Sequence, residues 1–414
     1  MKINQPAVVF GLFETGLGVA RALGRKGVQV IGVDHKKDIG WYSKYVRPLK
    51  CPNPLENEKA FLRWVSNNFS RDHDIPVFFT GDDFLYPFSK NREALREYFR
   101  FNLPEHKKLE QIADKYSQYL LAKKAGLNVP QTWLIDNASQ IKEGNFPDDC
   151  WPLIIKGREV NSWRKIYGGT KKGFKVNDFH ELGKLIKPAL EQNLSIIAQE
   201  IIEGPDTNHF KYSAYRTDSG KILAEFCLQK IRQNPIRFGI GSVVKSIKKP
   251  ALLKSGRQLF ENIDYQGIGS AEFKLDEKDG KLKLIELNPR YWQQNTLAET
   301  CGINFPFLNY QDLLEKEPSH NLSTYRLGVK WVNIYMDFKS FLDYKKEGEI
   351  TFPQWLQSLS GPKVFSDYAL DDPIPGLWEI RFGKRILKLP QWIAKNARQK
   401  THLRKLQIKN QAHV

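Results

Sequence analysis

The sequence predicts an α/β protein with a parallel-sheet N-terminal domain, a larger second domain rich in β-hairpins and a C-terminal extension. Three observations support this fold class. Residues 7–34 follow the order strand, glycine-rich turn, helix and strand, which is typical of a βαβ unit. Further along, alternating apolar and polar runs are separated by short turns containing Asp-Gly or Ser-Gly, as in β-hairpins. The last thirty residues form a basic tail of different composition.

The composition is that of a folded globular protein of two or three domains. The chain has 414 residues, 41% hydrophobic residues and 12% aromatic residues, so a disordered chain is excluded. No apolar run is long enough for a transmembrane helix, and the N-terminus lacks the apolar core of a signal peptide. Four widely spaced cysteines form no Cys-x-x-Cys pair, which argues against a zinc site and fits a reducing cytoplasm.

The net charge of +18 predicts attraction to an anionic ligand or surface. Half of this excess lies between Lys384 and Asn410, where nine Lys or Arg occur without any Asp or Glu. Apolar residues alternate with these cations. The tail therefore fits either peripheral contact with an anionic membrane or a solvated, disordered terminus.

The N-terminal βαβ unit has a glycine-rich first turn. The predicted elements are a strand at 7–11, a turn at 12–18, a helix at 19–26 and a strand at 28–34. Gly16, Gly18 and Asp34 match the usual positions of a dinucleotide site. Arg21 stands where the third glycine is required, so we regard dinucleotide binding as the weaker interpretation.

A second strand at 76–80 ends at the acidic pair Asp82 and Asp83. Ligands of open α/β sheets bind at the carboxyl ends of strands, which makes both residues candidate substrate contacts. The alternative is that they start the predicted helix 84–98 as an N-cap, and we favour this alternative slightly.

Lysine residues precede the next predicted loop. Lys115 lies on a predicted helix over 109–124, and Lys156 ends a buried apolar strand at 151–156. A lysine at the end of a buried strand either extends into solvent or meets an anion. The following residues 157–175 are rich in glycine and cations, including Gly168 and Gly169, and form either a lid over phosphates or an ordinary hairpin tip. Because Lys156 lies directly before them, we favour the lid.

The segment after residue 195 contains a strand and another hairpin. A strand at 195–202 runs into Glu203, and strands at 210–216 and 221–232 flank a Ser-Gly turn. The exit of this hairpin, residues 230–242, is basic and glycine-rich. It suits an acidic substrate or a developing acyl phosphate, although a basic surface turn has the same composition.

The central motif is the hairpin formed by strands 269–275 and 282–288. A three-residue loop would place Glu272 opposite Glu286, with Asn288 on the same face. Two carboxylates and an amide oxygen are ligands that Mg²⁺ prefers. Leu282 and Leu284 are expected on the same face as Glu286, and an acid at the end of an apolar face is unusual without a partner. A solvated surface hairpin is the alternative.

These residues resemble a known superfamily. The run from Glu272 to Glu286-Leu287-Asn288-Pro289-Arg290 resembles the metal-binding signature of the ATP-grasp superfamily. Within it, the chain is similar to predicted carboxylate–amine ligases related to D-aspartate ligase, through segments 230–235, 238–242 and 288–292. The motif-level resemblance covers roughly residues 109–315.

The resemblance implies a domain organisation and a reaction. Residues 1–108 would form a Rossmann-like pre-ATP-grasp domain, 109–315 a two-lobed ATP-grasp domain with its lid-bearing lobe at about 128–198, and 316–414 a C-terminal extension. ATP and Mg²⁺ or Mn²⁺ would serve as cofactors. A substrate carboxylate would attack the γ-phosphate to give an acyl phosphate, and an amine would then displace phosphate to form an amide.

The resemblance also assigns site residues. The metal ligands would be Glu272, Glu286 and Asn288. Nucleotide contacts would come from two phosphate-binding lysines, the lid glycines and the interdomain segment: Lys115, Lys156, Gly168, Gly169, Glu200, Ile201, Glu203 and Asp206. Residues on the substrate side would be Arg290, Arg232 and Ser242.

Other functions remain open at this point. An enzyme of this kind could phosphorylate or ligate a non-carboxylate or non-amine acceptor, and a non-catalytic nucleotide-binding protein could keep the fold. The charge alone would fit a nucleic-acid-binding protein, but no nucleic-acid motif occurs. Small-molecule acid and amine substrates are expected, and a homodimer is the default expectation for an oligomer.

Overall fold

The computed structural model of the protein describes residues 5–71, 74–137, 140, 142–158, 163, 166–167, 173–316 and 324–381. The N-terminal part contains a five-stranded parallel sheet of strand order β3-β2-β1-β4-β5. Its strands are β1 (Ala7–Phe10), β2 (Val30–Asp34), β3 (Val46–Lys50), β4 (Ile75–Phe79) and β5 (Phe99–Arg100). β1 and β4 are buried throughout because helices or other sheets cover both faces, as parallel sheets require. The Rossmann-like prediction is confirmed.

Four helices accompany this sheet: α1 (Glu14–Gly24), α2 (Glu58–Asn68), α3 (Asp82–Lys90) and α4 (Arg92–Arg96), with a 3₁₀ turn at Ile39–Tyr42. The predicted turn over 12–18 is wrong, since α1 already begins at Glu14. Gly16 lies inside this helix. The position requires glycine because a Cβ there would come within 1.9 Å of the Gly11 carbonyl oxygen. The glycine serves close packing of the helix on the strand.

Two further helices, α5 (His106–Ala113) and α6 (Lys115–Lys124), replace the single helix predicted over 109–124. The helix is interrupted at Asp114, whose carboxylate accepts a hydrogen bond of 2.7 Å from the Ser117 amide. Asp114 is therefore the N-cap of α6, and capping competes successfully with helix continuation at this residue. The break places Lys115 at the first position of α6.

A small lobe follows, built on an antiparallel sheet of order β6-β9-β7-β8. Its elements are β6 (Thr132–Ile135), β7 (Leu153–Gly157), β8 (Phe174–Val176), the helix α7 (Phe179–Leu190) and β9 (Ile196–Glu200). Leu153, Ile155 and Leu182 belong to its hydrophobic core, so the helix covers one face of the sheet. Most of the predicted lid between β7 and β8, including Gly168 and Gly169, lies outside the described residues.

The large lobe contains a seven-stranded sheet of order β14-β13-β10-β11-β12-β15-β16. Its strands are β10 (His209–Arg216), β11 (Ile222–Asn234), β12 (Ile240–Ile247), β13 (Gly267–Leu275), β14 (Leu282–Asn288), β15 (Lys330–Val332) and β16 (Lys363–Phe365). The associated helices are α8 (Pro250–Asn262), α9 (Asn295–Cys301), α10 (Phe305–Leu313), α11 (Ile334–Lys346), α12 (Phe352–Ser358) and α13 (Ile374–Arg381). The residues after 316 therefore continue the same sheet through β15 and β16.

The large sheet is covered on both faces. On one face, Tyr212 packs with Phe260 of α8 in a hydrophobic cluster. On the other face, Tyr215 shares a cluster with Val9 of the N-terminal sheet and Trp331 of β15. The N-terminal sheet, the large sheet and the C-terminal extension thus share one hydrophobic core.

Within the described ranges, no helix combines the length and the apolar character needed to cross a bilayer.

Candidate active site

The hairpin of β13 and β14 brings the two predicted acids together. Glu272 lies directly opposite Glu286, and Asn288 lies opposite Ser270. The predicted opposition of the carboxylates is confirmed, although the loop is longer than the three residues expected. The strands first pair at Leu275 and Leu282, and a bulge in β14 then restores the predicted register.

The bulge also corrects the predicted faces of β14. Leu284 and Leu287 lie in the same hydrophobic cluster, together with Ala271 of β13. Because Ile285 is the extra residue, the alternation changes between Leu284 and Glu286. The expectation that Leu284 shares the face of Glu286 is wrong, and the carboxylates lie on a polar face.

Glu272 is buried between two lysines from neighbouring strands. Lys211 Nζ of β10 lies 3.1 Å from one carboxylate oxygen, and Lys230 Nζ of β11 lies 3.0 Å from the other. Burial alone would raise the pKa of Glu272, but the two ammonium groups outweigh it and hold this pKa well below its usual range. The carboxylate is therefore ionised at neutral pH.

Glu286 meets Lys115, which the break before α6 directs toward β14. Burial is the largest influence and lowers the pKa of Lys115, but the charge of Glu286 and the hydrogen bond to it, together with Tyr119 and Asp82, outweigh burial and raise this pKa. The Asp114 cap that orients Lys115 is itself bonded by Arg158, at the start of the predicted lid. Arg158 at the end of β7, the α6 N-terminus and the central hairpin are thus connected by charged contacts.

Lys156 extends from β7 toward the same region. Its Nζ donates to Gln199 Oε1 of β9 at 3.0 Å. The Tyr119 hydroxyl donates to the Ile285 carbonyl at 2.8 Å and lies 3.4 Å from the same Gln199 atom. Lys156 is thereby placed near the bulge of β14, with a polar partner that a phosphate oxygen could replace.

The predicted nucleotide segment after β9 borders a cavity of about 590 Å³. Ile201, Glu203 and Asp206 line it, together with residues of the C-terminal extension such as Tyr344. Glu200 is held beside it by Lys283 Nζ at 3.1 Å. A cavity of this size, mostly apolar, is suited to a nucleobase and ribose.

The Asp206 carboxylate is already occupied by hydrogen bonds within the protein, which leaves little of it to accept hydrogen bonds from a ribose. Its carboxylate accepts from Gln233 Nε2 at 2.6 Å, from the Arg237 amide at 3.2 Å and from the Tyr344 hydroxyl. These bonds fasten the segment after β9 to β11 and to α11. Of Glu203 and Asp206, both implied by the resemblance as nucleotide contacts, the geometry therefore favours Glu203.

Arg232 and Ser242, predicted on the substrate side, both bind Asp337 of α11. The Arg232 guanidinium donates to both Asp337 oxygens, at 2.7 and 2.9 Å, and the Ser242 hydroxyl donates at 3.1 Å. Asp337 is fully buried and also accepts from Trp355 Nε1 at 2.7 Å. In this structure both side chains anchor the C-terminal extension, and their substrate-side assignment stays a prediction.

Arg290 lies just beyond Asn288 and reaches the N-terminal sheet. Its Nε donates to Asp82 Oδ1 at 2.8 Å. Burial is the largest influence and lowers the pKa of Arg290, but the charge of Asp82 and the hydrogen bond to it, together with Glu286 and Tyr86, outweigh burial and raise this pKa. Asp82 is thus brought to the central hairpin. Asp82 and Asp83 form the first turn of α3 rather than its N-cap, which is Gly81.

The glycine-rich turn before α1 has structural explanations. A Cβ on Gly18 would come within 2.4 Å of Asn295 Oδ1 of α9. Asp34 accepts a hydrogen bond of 2.7 Å from the Leu12 amide, and Arg21 binds Asp372. These contacts account for the pattern without a bound dinucleotide.

The residues present fit a divalent cation. Asn288 is half-buried, and its amide has no hydrogen-bond partner in the described part of the chain. Carboxylate and amide oxygens from Glu286 and Asn288 would suit Mg²⁺ or Mn²⁺, with Glu272 on the opposite strand. No group of three or more His, Cys, Asp or Glu occurs together among the residues that the structure describes.

Sequence reasoning missed Lys211 as a site residue. It is a lysine between Phe210 and Tyr212 in a strand that is buried throughout, a signal similar to that of Lys156. Its second partner, Gln294 Oε1 at 3.2 Å, lies 83 residues away in the chain. Such a contact cannot be read from local spacing.

Comparisons with known proteins agree with this architecture. No protein-family model matches the chain. It is 23% identical over 328 residues to a D-aspartate ligase of Enterococcus faecium (strain Aus0004), covering 74% of this chain and 76% of the relative.

Solved structures cover a similar share of the fold. An N5-carboxyaminoimidazole ribonucleotide synthetase in complex with ADP is 15% identical with a TM-score of 0.62, covering 84% of this chain and 87% of the other. An L-amino acid ligase from Bacillus licheniformis is 19% identical with a TM-score of 0.58, covering 77% and 76%. The chain therefore shares the fold of these solved structures, with a Rossmann-like N-terminal sheet followed by a small lobe and a large lobe.

Proposed function

We propose that this protein is an ATP-dependent carboxylate–amine ligase that forms an amide through an acyl phosphate and releases ADP and phosphate. The observation that carries the proposal is the opposition of Glu272 and Glu286, flanked by Asn288 and by Lys115 and Lys156. D-aspartate ligase and L-amino acid ligase, the similar proteins named above, support the same class of reaction.

The reaction needs positioning and charge neutralisation rather than a protein nucleophile. A carboxylate oxygen of the acid attacks the γ-phosphorus of ATP, forming a C–O–P linkage while the bond to ADP breaks. The amine nitrogen then attacks the acyl carbon, phosphate leaves with the C–O bond electrons, and the nitrogen loses a proton to solvent. A bound Mg²⁺ would supply charge neutralisation at the phosphates.

The chain's own residues have defined parts in this scheme. Lys115 and Lys156 would exchange their present partners, Glu286 and Gln199, for phosphate oxygens. Glu286 and Asn288, with Glu272 opposite, would hold the cation. Arg290 would face the acyl phosphate, oriented by Asp82. Ile201 and Glu203 would bind the nucleobase end in the 590 Å³ cavity.

A trapping experiment tests this function. The purified protein is incubated with Mg·ATP, hydroxylamine and pools of carboxylic acids, beginning with both enantiomers of aspartate because of the similar D-aspartate ligase. ADP and hydroxamate are measured together. We expect both to rise with one pool and neither to rise with Glu286→Ala. ADP without hydroxamate would indicate a different phosphoryl acceptor and contradict the proposal.

We also propose that the C-terminal end contacts an anionic membrane from the cytoplasmic side. Four large apolar side chains are exposed just before the basic tail, with Leu370 at 87% exposure: Tyr368, Leu370, Ile374 and Leu377. Three of these side chains, Leu370, Ile374 and Leu377, are aliphatic. Aliphatic side chains close to many cations suit a lipid surface better than nucleic acid, whose bases favour stacking on aromatic side chains. The four cysteines are free thiols, in keeping with a reducing compartment.

Vesicle sedimentation tests this contact. The full chain should sediment with vesicles containing phosphatidylglycerol, much less with phosphatidylcholine alone, and less at high salt. Leu370→Ser combined with Leu377→Ser should weaken binding, whereas Leu120→Ser, at a leucine of α6 that is as exposed as Leu377, should not. Equal sedimentation of all variants, or retention on DNA instead of vesicles, would contradict it. Homodimer formation remains a prediction that light scattering can check.

A further inference from the structure

The two acids of the central hairpin are held in different ways. Each oxygen of Glu272 is in contact with its own lysine, Lys211 at 3.1 Å and Lys230 at 3.0 Å. Glu286 is paired with Lys115 nearer the surface, with about twice the side-chain exposure of Glu272. The carboxylate that faces inward is therefore already neutralised from both sides.

The two lysines are fixed by uncharged acceptors as well. Lys211 Nζ donates to Gln294 Oε1 at 3.2 Å, and Lys230 Nζ donates to Gln233 Oε1 at 3.2 Å and to the Gly239 carbonyl at 3.3 Å. Their side chains are only 8% and 7% exposed. If a metal ion took over Glu272, two buried ammonium groups would lose their counter-charge, which is strongly unfavourable.

The charges of Lys211 and Lys230 make a metal ion at Glu272 unnecessary. Two ammonium groups on one carboxylate leave one net positive charge, the same as a divalent cation on one carboxylate. Lys211 and Lys230 therefore present to a polyphosphate the field that a cation at Glu272 would present. Unlike a metal ion, they are part of the fold and are in place before the nucleotide binds.

We infer that the site takes one divalent cation, on Glu286 and Asn288, and that Lys211 together with Lys230 takes the place of a second cation at Glu272. This inference rests on the proposed nucleotide site. It departs from the three-ligand set that the resemblance implied, because Glu272 orients the lysines instead of binding metal. Among the described residues, Lys211 is the positioning residue that joins Glu272 to Gln294 of the segment after β14.

Counting Mn²⁺ tests the inference without relying on turnover. The full chain is titrated with Mn²⁺ at saturating AMP-PNP, free Mn²⁺ is measured by electron paramagnetic resonance, and nucleotide binding is measured in parallel by equilibrium dialysis. We expect one Mn²⁺ per nucleotide-bound chain for the natural sequence and two for Lys211→Met, where Glu272 loses one lysine. Lys330→Met is the control, because Lys330 of β15 donates to the Ser358 and Ser360 carbonyls, and it should keep one.

The outcomes separate clearly. Two Mn²⁺ in the natural chain would overturn the inference, whether or not Lys211→Met folds. One Mn²⁺ in a folded, nucleotide-binding Lys211→Met would overturn the role of Lys211. Absence of AMP-PNP binding in the natural chain would overturn the proposed function itself, and this inference with it.

Discussion

Arg21 of α1 and Asp372 of the C-terminal extension form an ion pair at 2.9 Å, with side chains only 2% and 1% exposed. Arg21 stands where a dinucleotide fingerprint would need its third glycine. The guanidinium also donates to the Asp372 carbonyl at 2.7 Å, and the Ser43 hydroxyl donates to the carboxylate at 2.7 Å. The departure from the fingerprint thus serves to fasten the end of the described chain to the N-terminal sheet.

Breaking this pair should destabilise the protein strongly. Arg21→Ala would leave Asp372 buried without its counter-charge, and we expect a loss of about 3–5 kcal/mol in the free energy of unfolding. Urea unfolding measures it. Arg25→Ala is the matched control, because Arg25 pairs with Asp371 and Glu299 at the surface and should cost about 1 kcal/mol or less. Equal losses for the two variants would contradict this account of Arg21.

Removing the outer acid of the hairpin should abolish metal-dependent turnover and spare the fold. We expect Glu286→Gln to reduce ATP consumption on the order of 100-fold or more, while the thermal midpoint changes little because Glu286 is partly exposed. Glu110→Gln, on an exposed acid of α5, should leave turnover unchanged. Normal ATP consumption by Glu286→Gln would show that the hairpin is not the cation site.

Short-range pattern was sufficient for the central hairpin. Alternation and the Asp-Gly turn predicted both strands and the opposition of Glu272 and Glu286. The bulge at Ile285 was not predictable, because it is stabilised by packing of Leu284 and Leu287 against α8 and α6, not by any local signal. The longer loop shifts the pairing of the strands and the bulge at Ile285 shifts it back. The opposition of Glu272 and Glu286 was therefore predicted correctly although the predicted loop length was wrong.

Contacts between distant segments were beyond sequence reasoning. Arg232 and Ser242 lie in a basic, glycine-rich segment that resembles a substrate loop, yet their partner Asp337 is about a hundred residues further along. The break at Asp114 is different, since a capping aspartate three residues before Ser117 is a local signal. The predicted domain boundaries and the roles of the lid glycines stay predictions.

The role of Ser242 can be tested against its original assignment. Ser242→Ala removes a hydrogen bond to buried Asp337, and we expect a cost of about 1 kcal/mol in unfolding free energy with kcat and KM nearly unchanged. Ser213→Ala is the control, since Ser213 is equally buried and its hydroxyl has no partner among the described residues. It should cost less. A large fall in kcat for Ser242→Ala at unchanged stability would restore a substrate-side role.

The stability of the protein should fall on mild acidification because of His209. This residue is buried beside the lysine pair, and burial, reinforced by Lys230 and Lys274, lowers its pKa from 6.5 to about 3. In the unfolded chain the imidazole takes up a proton below about pH 6.5, whereas in the folded chain it does not, so stability is lost as the pH falls through this window. Between pH 6.5 and pH 5 the loss should approach about 2 kcal/mol.

His209→Gln should remove this part of the pH dependence, because glutamine does not titrate. Urea unfolding of the natural chain and of the variant at pH 5 and at pH 7 measures the difference. His106→Gln, on a half-exposed histidine of α5 whose ring bonds the Ser89 hydroxyl, should retain the dependence. Glu272 affects stability in a different pH range. Because its pKa is lowered in the folded chain, its contribution to stability is complete above about pH 4.5 and is lost only in stronger acid. An equal fall in stability for His209→Gln and the natural chain would therefore show that the histidine is not buried as a neutral group.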